Sequence, residues 1–364
     1  MKKESLAREA ILNIKPYVPG KPIEEVKREL GLERVIKLAS NENPLGPSPK
    51  AVKAMQEAVK KVHIYPDGNA FKLKQKLSDK LGVKTEELIF GNGSDELLAL
   101  LAQAFLNPED EVIMAGTTFS EYRFAANLMG AKINQVPLKD YTHNLSAMAA
   151  EISEQTKMVF VCSPNNPTGT IVSHSEVEAF LAEVPDDVLV VFDEAYYEYV
   201  TSDDYPETID YLAEQDNLII LRTFSKLYGL AGLRIGYAVA DQKLIDYLGR
   251  VKQPFNVDAV AQKGALAALD DKEHVDKSRA YNNQGKEYLY DQFEKMGLEY
   301  QPTESNFIMV DVGESNEKVF EEMLKRGVII RSLNPFGYEQ KIRVTVGLPK
   351  QNEIFLENLR EVLS

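Results

Sequence analysis

The sequence has little of several features that would place it in a specialised class of protein. Its 364 residues include one cysteine, so no disulfide can form within the chain. No apolar run is long enough to cross a bilayer. No internal repeat, low-complexity tract or linker rich in proline, glycine or serine divides the chain. These absences indicate a globular protein that is not inserted in a membrane.

Positive charge is also scarce. Lysine and arginine number 42 against 56 aspartate and glutamate residues, which gives a formal net charge of −14. That balance has the wrong sign for gripping a phosphate backbone, so no nucleic-acid partner is expected. The opening residues, MKKESLAREAILNIKPY, break into charge before an apolar stretch forms, unlike a secretory signal. We therefore expect a cytoplasmic protein.

Short β-rich runs alternate with helical periods from about residue 70 onward. The runs ELIFGNG, EVIMAG, MVFVC, VLVVF and NLIIL have the composition of strands, and helical segments such as DELLALLAQAFL separate them. The last three runs are nearly continuous in apolar residues, as expected of strands covered on both faces. The alternation predicts an α/β fold with a largely parallel sheet. Cys162 ends MVFVC and is predicted to be a buried strand residue rather than a reactive thiol.

The segment TFSKLYGLAGLRIGY follows the strand NLIIL and places Lys226 on a glycine-rich turn. A lysine in a dry site can lose its proton and form a Schiff base. Thr223 and Ser225 add hydroxyls, and Arg234 adds a planar cation suited to a phosphate. The alternative is a solvated lysine on a surface turn.

Three other predicted strands also end in polar residues. Asp193 directly follows a buried strand, where an ionised carboxylate needs a cation such as the pyridinium nitrogen of pyridoxal phosphate (PLP). Asn166 follows another strand in SPNNPTG, and in FGNGSDELLALL the amides around Ser94 and Asp95 begin a helix, where an anion is favoured. The alternatives are a cap for Asp193, a plain turn at Asn166, and a helix N-cap for Ser94.

Taken in order, GNGSDE, SPNNPTG, FDEAYYEY and TFSKLYGLAGLRIGY resemble the fold-type I PLP aminotransferases across nearly the whole chain. Within that superfamily, SNENPLGPSP, HIYPDG, IIRS and IRVTVG are similar to the histidinol-phosphate aminotransferases. The resemblance implies a large domain with a seven-stranded, mostly parallel sheet and a smaller α/β C-terminal domain. We place these at residues 36–270 and 271–364, and an N-terminal arm that contributes to the small domain and the active-site mouth at 1–35.

The resemblance also implies catalytic and cofactor-binding roles. Lys226 would carry PLP as a Schiff base and move the proton between the substrate α-carbon and the cofactor. Asp193 would pair with the pyridine nitrogen, while Asn166 and Tyr196 would hydrogen-bond the phenolic oxygen. Phe119 would stack on the pyridine ring, where many members have tyrosine or tryptophan. The residues expected at the cofactor phosphate are Gly93, Ser94, Asp95, Thr223, Ser225 and Arg234.

Further matching residues concern the substrate and the partner subunit. Tyr65 matches a residue that reaches the phosphate from the neighbouring subunit, which implies a homodimer with shared active sites. Arg343 would bind an α-carboxylate, and Arg331 lies at a position similar to one specific to the histidinol-phosphate enzymes. Tyr17 would close over the substrate phosphate and Asn43 would line the mouth. A surface ion pair is an equal explanation for Arg331 from sequence alone. No metal ligands are assigned.

The reaction implied is reversible transamination of L-histidinol phosphate with 2-oxoglutarate to imidazole-acetol phosphate and L-glutamate, a step of histidine biosynthesis. The alternatives are an aromatic or dual-specificity aminotransferase and a threonine-phosphate decarboxylase. A non-catalytic ligand sensor is a further alternative from another class. It is disfavoured because no DNA-binding segment precedes the core and because Lys226 and Asp193 are both present.

Overall fold

The computed structural model describes residues 6–12, 14 and 20–364. In this part of the chain the strands are β1 (Ile36–Lys37), β2 (Leu88–Gly91), β3 (Glu111–Ala115), β4 (Lys132–Val136), β5 (Thr156–Cys162), β6 (Leu189–Asp193), β7 (Leu218–Thr223), β8 (Gly236–Ala240), β9 (Tyr300–Gln301), β10 (Phe307–Asp311), β11 (Val328–Ile329), β12 (Arg331–Ser332) and β13 (Lys341–Thr345).

The helices are α1 (Glu9–Leu12), α2 (Ile23–Leu30), α3 (Pro49–Ala58), α4 (Phe71–Leu81), α5 (Gly93–Phe105), α6 (Ser120–Met129), α7 (Leu145–Ala150), α8 (His174–Glu183), α9 (Gln242–Val251), α10 (Ala259–Leu269), α11 (Lys272–Met296), α12 (Asn316–Lys325) and α13 (Pro349–Val362). None of the helices in the described ranges combines the length and apolar character needed to cross a membrane.

Seven strands form one sheet in the order β2-β8-β7-β6-β5-β3-β4. All pairs are parallel except those of β8, which runs antiparallel to β2 and β7. The predicted α/β fold with a seven-stranded, mostly parallel sheet is therefore confirmed.

The near-continuous apolar runs are explained by packing on both faces of this sheet. Along β5, Met158 and Phe160 contribute to a core shared with α5, α6 and α9, whereas Val159 and Val161 contribute to a core shared with α7 and α8. Successive strand residues point to opposite faces, so a strand covered twice must be apolar at every position. Cys162 is buried at the end of β5, as predicted.

The C-terminal part contains an antiparallel sheet in the order β12-β13-β10-β9, packed against α11, α12 and α13. Leu38 joins this C-terminal core although it lies near the other end of the chain. Its neighbours in β1 pair in parallel with β11. The domain boundaries at residues 35 and 270 stay a prediction.

Strand order and register bring the polar strand ends to one edge of the large sheet. Cys162 is the register partner of Asp193, and Asp193 is the partner of Leu221 near the end of β7. The segments that follow these strands therefore meet at the carboxyl edge, where open α/β sheets bind their ligands.

Candidate active site

A cavity at this edge brings together most of the residues singled out in the sequence. Those lining it are Ser94, Asp95, Phe119, Asn166, Asp193, Tyr196, Thr223, Ser225, Lys226, Arg234, Arg331 and Arg343. They come from strand ends, helix starts and the C-terminal sheet. Folding, rather than proximity in sequence, assembles the site.

Lys226 projects into this cavity from the turn after β7. Its Nζ donates a hydrogen bond to the carbonyl oxygen of Ser40 at 3.4 Å and lies 5.4 Å from the ring centroid of Tyr196. Burial, and to a lesser extent the charge of Arg343, lowers the pKa of the amine to about 8. A larger fraction of this amine is neutral at pH 7 than of a solvated lysine, as a nucleophile for carbonyl groups requires.

Asp193 is the last residue of β6 and is only 2% exposed. Its Oδ2 accepts a hydrogen bond from the hydroxyl of Tyr122 at 2.7 Å, and its Oδ1 accepts one from the backbone N–H of Ala195 at 3.2 Å. Burial raises the pKa of the carboxyl to about 6. Asp193 therefore does cap a nearby backbone N–H, that of Ala195. This contact supplies no positive charge, so the ionised carboxylate still needs a cation from the cavity side.

Asn166 and Tyr196 are held by neighbouring polar groups. Arg343 donates through Nη1 to Asn166 Oδ1 at 2.5 Å and through Nη2 to the carbonyl of Ala39 at 2.7 Å. The hydroxyl of Tyr196 accepts a hydrogen bond from Asn41 Nδ2 at 2.9 Å. Burial raises the pKa of Tyr196, so its hydroxyl keeps a proton to donate.

The start of α5 forms an anion-binding corner. The helix begins at Gly93, which has a φ of +75°, so Ser94 lies inside the first turn and is not the N-cap. Arg234 donates to Asp95 Oδ2 at 3.0 Å and to Ser225 Oγ at 3.4 Å. A Cβ at position 93 would collide with the Arg234 guanidinium. Backbone amides, a hydroxyl and a guanidinium therefore converge as donors for an anion.

Two arginines lie opposite each other on adjacent strands of the C-terminal sheet, on the other side of the cavity. Arg331 of β12 and Arg343 of β13 are register partners on neighbouring antiparallel strands, and both line the cavity. The side chain of Arg331 makes no hydrogen bond or ion pair with another residue in the described ranges. Like charges directly opposite each other are destabilising, so this pair calls for an anion between them.

The model of aminotransferase class I and II matches residues 33–359 of the chain. The chain belongs to the class I and II aminotransferases. It is 58% identical over 358 residues to the histidinol-phosphate aminotransferase of Moorella thermoacetica, covering 98% of this chain and 93% of that protein. The predicted enzyme class and the resemblance to histidinol-phosphate aminotransferases are thus confirmed.

Solved structures agree with this assignment. The histidinol-phosphate aminotransferase of Sinorhizobium meliloti, in complex with pyridoxal-5′-phosphate, superposes with a TM-score of 0.91 at 26% identity, covering 99% of this chain and 98% of that one. The L-threonine-O-3-phosphate decarboxylase of Porphyromonas gingivalis gives a TM-score of 0.79 at 23% identity, covering 90% and 99%. The second likeness shows the shared fold alone.

Some predicted site residues of this aminotransferase do not line the cavity. Asn43 is buried and donates to the Leu227 carbonyl at 2.6 Å and to Ser278 Oγ at 2.9 Å, so its expected place at the mouth is corrected. Tyr65 is 80% exposed and stacks on Phe255 with centroids 4.9 Å apart, away from the cavity of its own chain. Tyr17 lies outside the described residues.

Sequence reasoning missed two residues of this aminotransferase. Asn41, with a φ of +55°, lines the cavity where Asn43 was expected, and the run SNENP offers both asparagines. Tyr122 belongs by spacing to the apolar face of α6, and nothing in its sequence surroundings points to Asp193. In the described part of the chain no group of three or more His, Cys, Asp or Glu is placed to hold a metal ion.

Proposed function

We propose that this aminotransferase converts L-histidinol phosphate and 2-oxoglutarate to imidazole-acetol phosphate and L-glutamate, a step of histidine biosynthesis. Support comes from several relatives of that name, such as that of Moorella thermoacetica, which match nearly the whole chain. An aromatic aminotransferase or a threonine-phosphate decarboxylase is not favoured by these relatives.

The observation that carries the proposal is the arginine pair of β12 and β13. A substrate such as histidinol phosphate has no α-carboxylate, so its anionic group is the phosphate, whereas glutamate brings two carboxylates. Arg343 is already committed to Asn166 and to the backbone, but Arg331 has no such partner among the described residues. A planar guanidinium whose donors are not used by any side chain of the described ranges fits the extra charge of a phosphate.

Pyridoxal 5′-phosphate is the cofactor, and the cavity residues fit it. Lys226 would hold its aldehyde carbon, Asp193 its pyridine nitrogen, and Asn166 with Tyr196 its phenolic oxygen. The first backbone N–H groups of α5, which have no acceptor within the helix, and the guanidinium of Arg234 would hold its phosphate. When bound, the cofactor supplies an electron sink for the bond-breaking step at the substrate α-carbon.

The residues of the chain provide proton transfer and orientation. With a lowered pKa, Lys226 is suited to take the proton from the substrate α-carbon and to return it at the other reaction centre. Arg343 lies 5.1 Å over the ring of Phe307 and is buried, so its position is fixed before substrate arrives. A fixed cation orients an anionic substrate without a further ordering cost.

A homodimer in the cytoplasm is part of the proposal. Val62, Ile64, Tyr65 and Phe71 are each more than half exposed on one stretch of the chain. Exposed apolar clusters of this kind are found at protein contacts. A second copy covering this surface would let Tyr65 approach the phosphate corner of the neighbouring site.

The test is a comparison of initial rates with histidinol phosphate, phenylalanine and threonine phosphate as alternative substrates at equal concentration. We expect the highest kcat/KM for histidinol phosphate, with glutamate formed from 2-oxoglutarate. A higher value for phenylalanine would move the assignment to the aromatic enzymes. Carbon dioxide release from threonine phosphate would move it to the decarboxylases.

A further inference from the structure

Tyr122 is a fully buried side chain whose hydroxyl reaches Asp193. It lies in the first turn of α6, is 0% exposed, and donates to Asp193 Oδ2 at 2.7 Å. The second donor to this carboxylate, the N–H of Ala195, is longer at 3.2 Å. The hydroxyl of Tyr122 is thus the closer of the two hydrogen-bond donors to Asp193 in the described ranges.

The ring of Tyr122 is held on two sides. It stacks on Phe160 of β5 with centroids 4.8 Å apart and planes 8° from parallel, and it meets Phe119 edge-on at 5.7 Å and 83°. Phe160 lies on an interior strand of the sheet and is buried. Because the ring cannot turn freely, the hydroxyl has a fixed direction. The same ring supports Phe119, the residue expected to stack on the cofactor ring.

The surroundings of Asp193 otherwise disfavour its charge. The titratable groups that face it are Asp95 of α5, Tyr122 of α6, Cys162 of β5, and its chain neighbours Glu194 and Tyr196. Burial raises the pKa of Asp193 most, and the charges of Asp95 and Glu194 raise it further. The hydrogen bonds from Tyr122 and Ala195 lower it. The pKa of about 6 is reached with both donors in place.

We infer that Tyr122 is a positioning residue that holds the Asp193 carboxylate in its ionised form and aimed at the cavity. The inference rests on the proposed pairing of Asp193 with the pyridine nitrogen of the cofactor. Without the hydroxyl, the carboxylate becomes more basic and loses one of its two anchors. The proton shared between Asp193 and the pyridine nitrogen then moves toward the carboxylate.

The experiment uses holoenzyme reconstituted with pyridoxal phosphate labelled with ¹⁵N in the ring. For Tyr122→Phe, we expect the nitrogen chemical shift at neutral pH to move toward the value of an unprotonated pyridine. We also expect the Kd for pyridoxal phosphate to rise about tenfold, the effect of one lost charge-assisted hydrogen bond. The matched control is Tyr290→Phe, which removes a hydroxyl that accepts from Thr303 N–H at 2.9 Å in the C-terminal part. It should leave both quantities unchanged.

Two more variants separate the possible failures. If Asp193→Asn moves the nitrogen shift but Tyr122→Phe leaves it as in wild type, the role of Tyr122 is overturned and the pairing stands. If neither variant moves it, the proposed pairing fails and the inference fails with it. Tyr122→3-fluorotyrosine keeps the ring and strengthens the donor, so the shift should move in the opposite direction. That variant decides the question even if Tyr122→Phe does not fold.

Discussion

Replacing Arg331 by alanine separates the two substrates of the proposed reaction. The Arg331 side chain makes no hydrogen bond or ion pair with another residue of the described ranges, so Arg331→Ala leaves no buried partner there unsatisfied. It also removes a like charge opposite Arg343. We therefore expect no loss of stability in denaturant unfolding. Any loss of activity then reports the contact with substrate.

The magnitude follows from the type of contact. A charge-assisted hydrogen bond to a partly buried phosphate contributes about 1.5–3 kcal/mol, so kcat/KM for histidinol phosphate should fall roughly 10- to 150-fold. The glutamate half-reaction should fall less, because Arg343 remains for a carboxylate. Arg343→Ala, by contrast, should damage both half-reactions, since it also releases Asn166 and the Ala39 carbonyl.

The assay is single-turnover absorbance spectroscopy of each half-reaction, with one amino donor at a time. Arg331→Lys keeps the charge but loses the planar fork, so recovery of less than the full rate is expected. Arg250→Ala is a matched control, because that arginine lies outside the cavity with its guanidinium 5.0 Å from the Tyr247 ring. Equal losses for both donors in Arg331→Ala would refute a phosphate-specific role and weaken the case for histidinol phosphate.

Three further variants change residues in the cavity or directly beside it. Lys226→Ala should abolish transamination in steady-state assays while pyridoxal phosphate still binds non-covalently, and more than a small residual rate would contradict the catalytic role. Asp193→Asn should lower the rate by orders of magnitude. In cofactor-free protein the protonated Asp193 carboxyl stabilises the fold, because its pKa is raised to about 6. This contribution is present below pH 4 and is lost as pH rises through about 6. In Asp193→Asn the free energy of unfolding should therefore vary with pH by about 3 kcal/mol less over this range. Glu194→Gln removes the 2.8 Å charged partner of Arg222, which is 1% exposed, and should cost about 3 kcal/mol in denaturant unfolding; an unchanged midpoint would show that Arg222 does not depend on Glu194.

Much of the architecture was predictable because the packing of a strand on one or both faces determines which of its residues are apolar. Residues 158–162 and 188–192 are apolar at every position since both faces of β5 and β6 are covered. The positions of Asp193 and Lys226 followed from the same logic, as polar residues placed directly after such strands. Their meeting in one cavity depends on β6 and β7 running parallel as neighbours, and the alternation of helices and strands predicts the parallel direction.

The residues that could not be predicted are those whose role depends on a backbone angle or a distance across the fold. The choice between Asn41 and Asn43 is made by the left-handed conformation of Asn41, which directs the chain so that Asn43 points inward to Leu227. The contact of Tyr122 with Asp193 joins positions 71 residues apart, and a tyrosine on the apolar face of a helix is otherwise an ordinary core residue. Sequence pattern carries neither kind of information.

Leu38 and Asn41 connect an early segment of the chain by hydrogen bonds to β13, the last strand. The N–H of Leu38 donates to the Ile329 carbonyl at 2.7 Å, and the Leu38 carbonyl accepts from Thr345 N–H at 2.8 Å. Asn41 N–H donates to Thr345 Oγ1 at 2.9 Å. After a proteolytic cut between these segments, the same hydrogen bonds would therefore still join the two fragments. Thr345 lies on the same strand as Arg343, so these hydrogen bonds also fix the spacing between Arg343 and the cavity wall at Asn41.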